Sequence, residues 1–224
     1  MASRNIWIFL FAIILAANIL GRLLDIPWVE FFSKPLIIIS LVVYFVLAAQ
    51  QVQSHLKKWI LPALFFSWAG DVLLMFEQTN PLFFLFGLSA FLIAHVFYIV
   101  FFHLVRVKEN IKGKPWLLLI VLVYYVSLIG LLSPYLGEMK LAVRIYGIVI
   151  SFMFMLALHM LYIQNKNAGR LMLAGALLFI MSDSILAINK FYRPFEPAAV
   201  LIILTYGLAQ YFIVKGAAGY IRSE

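Results

Sequence analysis

Residues 170–190 read RLMLAGALLFIMSDSILAINK, an apolar run that carries one aspartate close to its end. A helix that crosses a bilayer needs about 20 mostly apolar residues, and this run supplies them. Asp183 is energetically unfavourable in such a helix, because placing an Asp, Lys or Arg side chain at the bilayer centre costs about 2.5–3.5 kcal/mol on insertion scales. The stretch therefore predicts a transmembrane helix and a carboxyl group that needs a reason to be there.

Seven more apolar runs of this kind occur along the chain, and charges or turn residues separate them. The eight predicted helices cover residues 6–24, 33–50, 59–76, 82–103, 116–136, 141–163, 170–190 and 196–214, with ends good to a few residues. Hydrophobic residues make up 66% of the 224 residues and charged residues 12%, against about 45–50% and 25% in soluble domains. The prediction is an all-α membrane protein, a bundle of eight transmembrane helices in a single domain over residues 1–224.

The basic residues predict the orientation of this bundle. Eleven of the 17 Lys and Arg residues fall on one side of the eight-helix layout and six on the other. Basic loops stay in the cytoplasm, so both termini are predicted to be cytoplasmic. The first run continues past Ala16 and Ala17, which favours a retained helix over a cleaved signal peptide. The net charge of +8 lies in short loops, which indicates contact with membrane lipids and no nucleic-acid partner.

A faint internal repeat links the third and fourth predicted helices to the last two. Gly70-Asp71-Val72-Leu73-Leu74 resembles Ser182-Asp183-Ser184-Ile185-Leu186, and the Gly87 region resembles the Gly207 region. Four helices separate the copies, so both copies would run in the same direction through the membrane. Two parallel four-helix halves are one explanation, and chance similarity among apolar helices is the other.

Asp71 and Asp183 are the predicted catalytic residues. Counted from the predicted helix ends, both lie roughly 8–10 Å below the outer boundary, at about 1.5 Å per residue. Gly70 and Gly175 would allow close helix approach beside them. Two carboxyl groups brought together repel, so one would stay neutral while the other stays charged, which makes an acid–base pair. The alternative is a structural role in hydrogen bonds between helices.

Other polar side chains in the apolar runs are weaker candidates for the same site. Lys34 opens the second helix and can reach a carboxylate or a lipid phosphate, or simply extend to the interface. The remaining candidates for substrate binding are His95, Tyr98, Tyr146, Ser182, Tyr206 and Gln210. Each of them alone is more often a residue that packs or bridges helices. No His-x-x-x-His pair, cysteine or nucleotide-binding fingerprint occurs, so neither a metal nor a cofactor is predicted.

These residues, in this order and spacing, resemble the YhhN-like lysoplasmalogenase family of membrane proteins. The residues that carry the resemblance are Lys34-Pro35-Leu36, Gly70-Asp71, Gly87, His95, Tyr98, Tyr146, Ser182-Asp183, Tyr206 and Ala209-Gln210. The resemblance implies a hydrolase that cleaves the vinyl ether bond of lysoplasmalogen, a lysophospholipid, into a fatty aldehyde and a glycerophospho-headgroup compound. The expected activity is an ether hydrolase with Asp71 and Asp183 as its acid–base pair.

Two other classes of protein also fit the sequence. Intramembrane carboxylates and repeated halves occur in proton-coupled transporters, although few Gly or Pro residues interrupt the predicted helices here. A non-catalytic lipid-binding membrane protein is the third possibility. The short loops favour a bacterial inner membrane as the location.

Overall fold

The computed structural model describes residues 2–223, with side chains for residues 5–223, and this part of the chain is helical without a strand. Its eight α-helices are numbered in chain order. They are α1 Ala2–Leu23, α2 Pro27–Ala49, α3 Lys57–Leu74, α4 Leu82–Lys108, α5 Trp116–Leu132, α6 Lys140–His159, α7 Lys166–Ala187 and α8 Ala198–Arg222. Short 3₁₀ turns join α5 to α6 and follow α6, and a π-helical turn, Ile188–Tyr192, follows α7.

Seven of these eight helices are long and apolar enough to cross a membrane. Only α3 is not among the seven, because its 18 residues include Lys57, Lys58 and Asp71. The predicted class, an all-α integral membrane protein with many crossings, is confirmed. The crossing by α3 stays a prediction.

Glycines let neighbouring helices approach closely in two pairs. A Cβ atom added at Gly70 of α3 would lie 2.7 Å from the ring of Phe91 in α4. A Cβ atom added at Gly175 of α7 would lie 2.7 Å from the carbonyl oxygen of Ala209 in α8. In lipid, where apolar side chains gain little by leaving their surroundings, such close packing is a main source of helix association.

Replacing Gly175 with alanine is expected to destabilise the bundle, because the added methyl group meets rigid backbone of α8. Overpacking of this kind typically costs about 1–3 kcal/mol. The measurement is the thermal unfolding midpoint of the purified protein in detergent. Gly130→Ala in α5 is the matched control, since a Cβ atom there has no neighbour within 4 Å. Equal midpoints for the two variants would contradict the close-packing argument.

Both aspartates lie near the C-terminal ends of their helices. Helix α3 ends at Leu74 and α7 at Ala187, so Asp71 is three residues and Asp183 four residues from its helix end. The helix ends predicted from the sequence lie a few residues later, so the prediction placed both carboxyl groups further inside their helices. The π-helical turn after α7 accounts for part of the difference, because the apolar run continues through it without α-helical hydrogen bonding.

Candidate active site

A cavity of about 490 Å³ lies at the end of the bundle where α3 and α7 finish and α2 and α8 begin. Five of the nine predicted site residues line it: Lys34, Asp71, Ser182, Asp183 and Tyr206. Its walls come from both halves of the chain, so residues far apart in sequence share one space. Its volume falls in the range of about 300–1,000 Å³ that is usual for small-molecule sites.

Asp71 is the more deeply buried of the two carboxyl groups, with 3% of its surface exposed. The hydroxyl group of Tyr206 in α8 donates a hydrogen bond to Asp71 Oδ2 at 2.6 Å. This contact joins α3 to α8 across 135 residues of sequence. A buried polar group needs such a partner, because an unpaired one keeps its full desolvation cost.

Asp183 has a tyrosine partner of its own. The hydroxyl group of Tyr146 in α6 donates a hydrogen bond to Asp183 Oδ2 at 2.5 Å. The same oxygen lies 4.0 Å from Nε2 of His95, beyond hydrogen-bond distance. The side chain of Asp183 is 15% exposed, so this carboxyl group is less deeply buried than that of Asp71.

The two carboxyl groups share the cavity but do not bind each other. Among the described side chains no hydrogen bond joins Asp71 to Asp183. The prediction that they approach closely enough to repel stays a prediction. Each one is held by a tyrosine from a different helix, and both line the same cavity.

Lys34 is half-buried on α2 and lines the same cavity. It forms no ion pair with any side chain in the described part of the chain. Asp71 attracts this ammonium group electrostatically without forming an ion pair with it, so the group can still bind an anion. Pro35 follows it inside α2 and has no backbone N–H, which leaves one helical carbonyl group without its usual donor beside the cavity.

Three predicted site residues lie behind the cavity wall. Tyr98 donates a hydrogen bond to Gln210 Oε1 at 2.6 Å, and Gln210 Nε2 donates to Ser67 Oγ at 2.9 Å. His95 is fully buried, with its ring 4.6 Å from that of Phe179. These residues connect α3, α4, α7 and α8 beneath the carboxyl groups and do not line the cavity.

Ser182 lines the cavity, but its hydroxyl group is hydrogen bonded to the backbone. Its Oγ donates a hydrogen bond to the carbonyl oxygen of Ile202 at 3.0 Å, which fastens α7 to α8 next to Asp183. This donor is therefore already used within the protein, and a role for Ser182 in substrate binding stays a prediction.

Two ion pairs that include residues of the cavity lining were not predicted from the sequence. Arg22 pairs with Glu30, and Lys190 pairs with Glu77 at 3.1 Å between Nζ and Oε2. Arg22, Glu30 and Glu77 line the cavity itself. Charged residues close to helix ends are common in membrane proteins, so no sequence signal distinguishes these four from others.

A second, smaller pocket of about 40 Å³ adjoins the cavity. Its walls are apolar except for Tyr146 and Asp183, and they include Leu74, Phe84 and Leu88. Asp183 therefore stands between a polar cavity and an apolar pocket.

In the part of the chain that the structure describes, no three His, Cys, Asp or Glu side chains are grouped so that they could hold a metal ion.

A helical bundle with two tyrosine-bound carboxyl groups and a lysine in one cavity defines a class: multi-pass membrane proteins with a polar site inside the helix bundle. Within that class the chain belongs to the YhhN family, which it matches over residues 29–217. The resemblance drawn from the sequence is thus confirmed.

Several curated proteins are similar to this chain. Lysoplasmalogenase TMEM86B of Sus scrofa is 32% identical over 83% of the chain and 74% of its own length. The lysoplasmalogenase of Mycobacterium bovis is 31% identical over 71% of the chain, and the chain spans 60% of that protein. Human lysoplasmalogenase TMEM86A is 31% identical over 70% of the chain and 64% of its own length. No solved structure matches the chain significantly.

Proposed function

We propose that this protein is an intramembrane hydrolase that cleaves the vinyl ether bond of a lysoplasmalogen. The products are a fatty aldehyde and glycerophosphoethanolamine or glycerophosphocholine. Relatives named lysoplasmalogenase, similar over most of this chain, support the reaction class. The observation that carries the proposal is the single cavity that holds Asp71, Asp183 and Lys34 inside an otherwise apolar bundle.

The chemistry of a vinyl ether suits two carboxyl groups. Cleavage begins when an acid adds a proton to the alkene carbon distal to the ether oxygen, which leaves an oxocarbenium-like cation. A carboxylate can stabilise that cation and accept a proton from the attacking water. Asp71 and Asp183 supply both groups, and Tyr206 and Tyr146 hold them in place through hydrogen bonds of 2.6 and 2.5 Å.

Lys34 is the proposed binding group for the substrate phosphate. Its ammonium group forms no ion pair among the described residues and lies on the wall of the same cavity. The ion pairs Arg22–Glu30 and Lys190–Glu77 surround the opening, where a zwitterionic headgroup would lie. His95, Tyr98 and Gln210 support the carboxyl groups from behind.

The proposed arrangement in the membrane follows the distribution of basic residues. All eight helices cross the bilayer, both termini face the cytoplasm, and the cavity opens in the outer half. Residues 1–224 form a single transmembrane domain with two parallel four-helix halves. A bacterial inner membrane is the proposed location.

The purified protein in detergent is expected to release fatty aldehyde from lysoplasmalogen. The matched control is the lysophospholipid with the same headgroup and a saturated alkyl ether, which cannot be protonated at carbon and should give no aldehyde. Ester-linked lysophospholipid should likewise stay intact. Aldehyde can be quantified by a coupled dehydrogenase. Solute or proton uptake by proteoliposomes without lipid turnover would indicate a transporter, and lipid binding alone would indicate a non-catalytic protein.

A further inference from the structure

A sequence spacing recurs around the two aspartates. Lys34 precedes Asp71 by the same 37 residues that separate Tyr146 from Asp183. Asp71 and Asp183 are themselves 112 residues apart. At this offset Lys34 corresponds to Tyr146, so corresponding positions hold a lysine in one half and a tyrosine in the other.

Helix packing repeats in the same way. Helix α3 packs against α4 as α7 packs against α8, and α2 packs against α8 as α4 packs against α6. The first two are contacts within a half, and the last two are contacts between halves. Each half thus contributes a carboxyl group from its third helix to the cavity.

The surroundings of the two carboxyl groups differ in one decisive respect. Asp183 lines both the polar cavity and the small apolar pocket, whereas Asp71 lines the polar cavity alone. Lys34 lines the cavity and not the apolar pocket. A lipid whose phosphate binds Lys34 would therefore direct its apolar chain toward Asp183, with the first chain carbons entering the apolar pocket.

We propose that Asp183 is the general acid that protonates the vinyl ether carbon and that Asp71 is the carboxylate that activates water. This assignment rests on the proposed function. Tyr146 is then a positioning residue for the acid, and Tyr206 for the base. The physical reason is placement: the carbon to be protonated belongs to the apolar chain, whereas water enters through the polar cavity.

The steps balance without a cofactor. The Asp183 carboxyl group gives its proton to the distal alkene carbon, and the alkene electron pair forms the new C–H bond. Water adds to the resulting cation at the carbon bonded to the ether oxygen while Asp71 accepts one water proton. In the hemiacetal the carbon–ether oxygen bond breaks. Asp71 returns its proton to the leaving oxygen, the hemiacetal hydroxyl proton passes to Asp183, and aldehyde and alcohol leave.

Deuterium oxide distinguishes the two roles. In Asp71→Asn the cation still forms, but water is not activated, so the cation returns a proton to Asp183. Lysoplasmalogen recovered from this variant should carry deuterium at the distal vinyl carbon. In Asp183→Asn the cation does not form, and recovered substrate should stay unlabelled. Mass spectrometry of the recovered lipid measures both. Label in the Asp183→Asn substrate, or none in the Asp71→Asn substrate, would overturn the assignment.

The wild-type protein in the same deuterium oxide separates this assignment from the proposed function. Aldehyde with one deuterium beside the carbonyl group supports vinyl ether protonation, and no aldehyde at all refutes the proposed function. Tyr206→Phe and Tyr146→Phe repeat the test if the Asn variants do not fold, because both keep their carboxyl groups. Lysoplasmalogen recovered from Tyr206→Phe should then carry deuterium at the distal vinyl carbon, and that recovered from Tyr146→Phe should not. The reverse pattern would reject the assignment.

Discussion

Asp71→Asn and Asp183→Asn are each expected to lower the rate of aldehyde release by at least about 100-fold, the low end of what a general acid or base contributes. Asparagine keeps the size of the side chain but can neither give nor accept the proton. Each variant should still fold, because an amide oxygen can accept the hydrogen bond from Tyr206 or Tyr146. The measurement is kcat with lysoplasmalogen in detergent.

Asp25→Asn is the matched control for these two variants. Asp25 is exposed in the turn after α1, does not line the cavity, and has a backbone φ of 51°, which asparagine also tolerates. Its activity should equal that of the wild type. Full activity in Asp71→Asn or in Asp183→Asn, with an unchanged unfolding midpoint, would refute the two-aspartate mechanism.

Lys34→Met is expected to raise KM for lysoplasmalogen by about 10–100-fold with a smaller change in kcat. A hydrogen bond to a charged group contributes about 1.5–3 kcal/mol, and about 1.4 kcal/mol corresponds to a factor of ten. Methionine preserves the apolar length of the side chain and removes the charge. Lys140→Met is the matched control, because Lys140 is exposed at the start of α6 and lies outside the cavity lining.

A substrate without phosphate tests what Lys34 binds. With 1-O-alkenylglycerol, which carries the vinyl ether and no headgroup, wild type and Lys34→Met should have nearly equal kcat/KM. An equally large loss with this substrate would instead show that Lys34 acts through Asp71, its neighbour on the cavity wall.

The helices could be predicted from the sequence because a bilayer imposes one rule on every segment. Backbone polar groups in lipid must be satisfied within the segment, so an apolar run of sufficient length becomes a helix. The run at 170–190 accordingly lies within Lys166–Tyr192, which comprises α7 and its π-helical turn. Helix α3 was predicted in the same way, but Lys57, Lys58 and Asp71 dilute its apolar character, and it is not among the seven helices that are long and apolar enough to cross a membrane.

Part of the site could be predicted for the same reason. Asp71 and Asp183 are conspicuous because charge in an apolar run is costly, and both do line the cavity. The arrangement of their neighbours was not predictable. A tyrosine in a transmembrane run has many ordinary uses, and nothing local to Tyr146 or Tyr206 indicates which carboxyl group it will bind. His95 and Gln210 were weaker candidates for the same site, and they lie behind the cavity wall.

Two features could be predicted from the sequence alone: apolar helices suited to a lipid bilayer, and two carboxyl groups within those apolar helices. Both conclusions depend only on the transfer free energy of each run, which is a local property. The hydrogen-bond partners of the two carboxyl groups depend on the tertiary structure. Tyr206 donates to Asp71 and Tyr146 donates to Asp183, and of the two carboxyl groups only Asp183 lines the apolar pocket. These two hydrogen bonds join residues that are 135 and 37 positions apart in the sequence, and close packing of the whole bundle selects them.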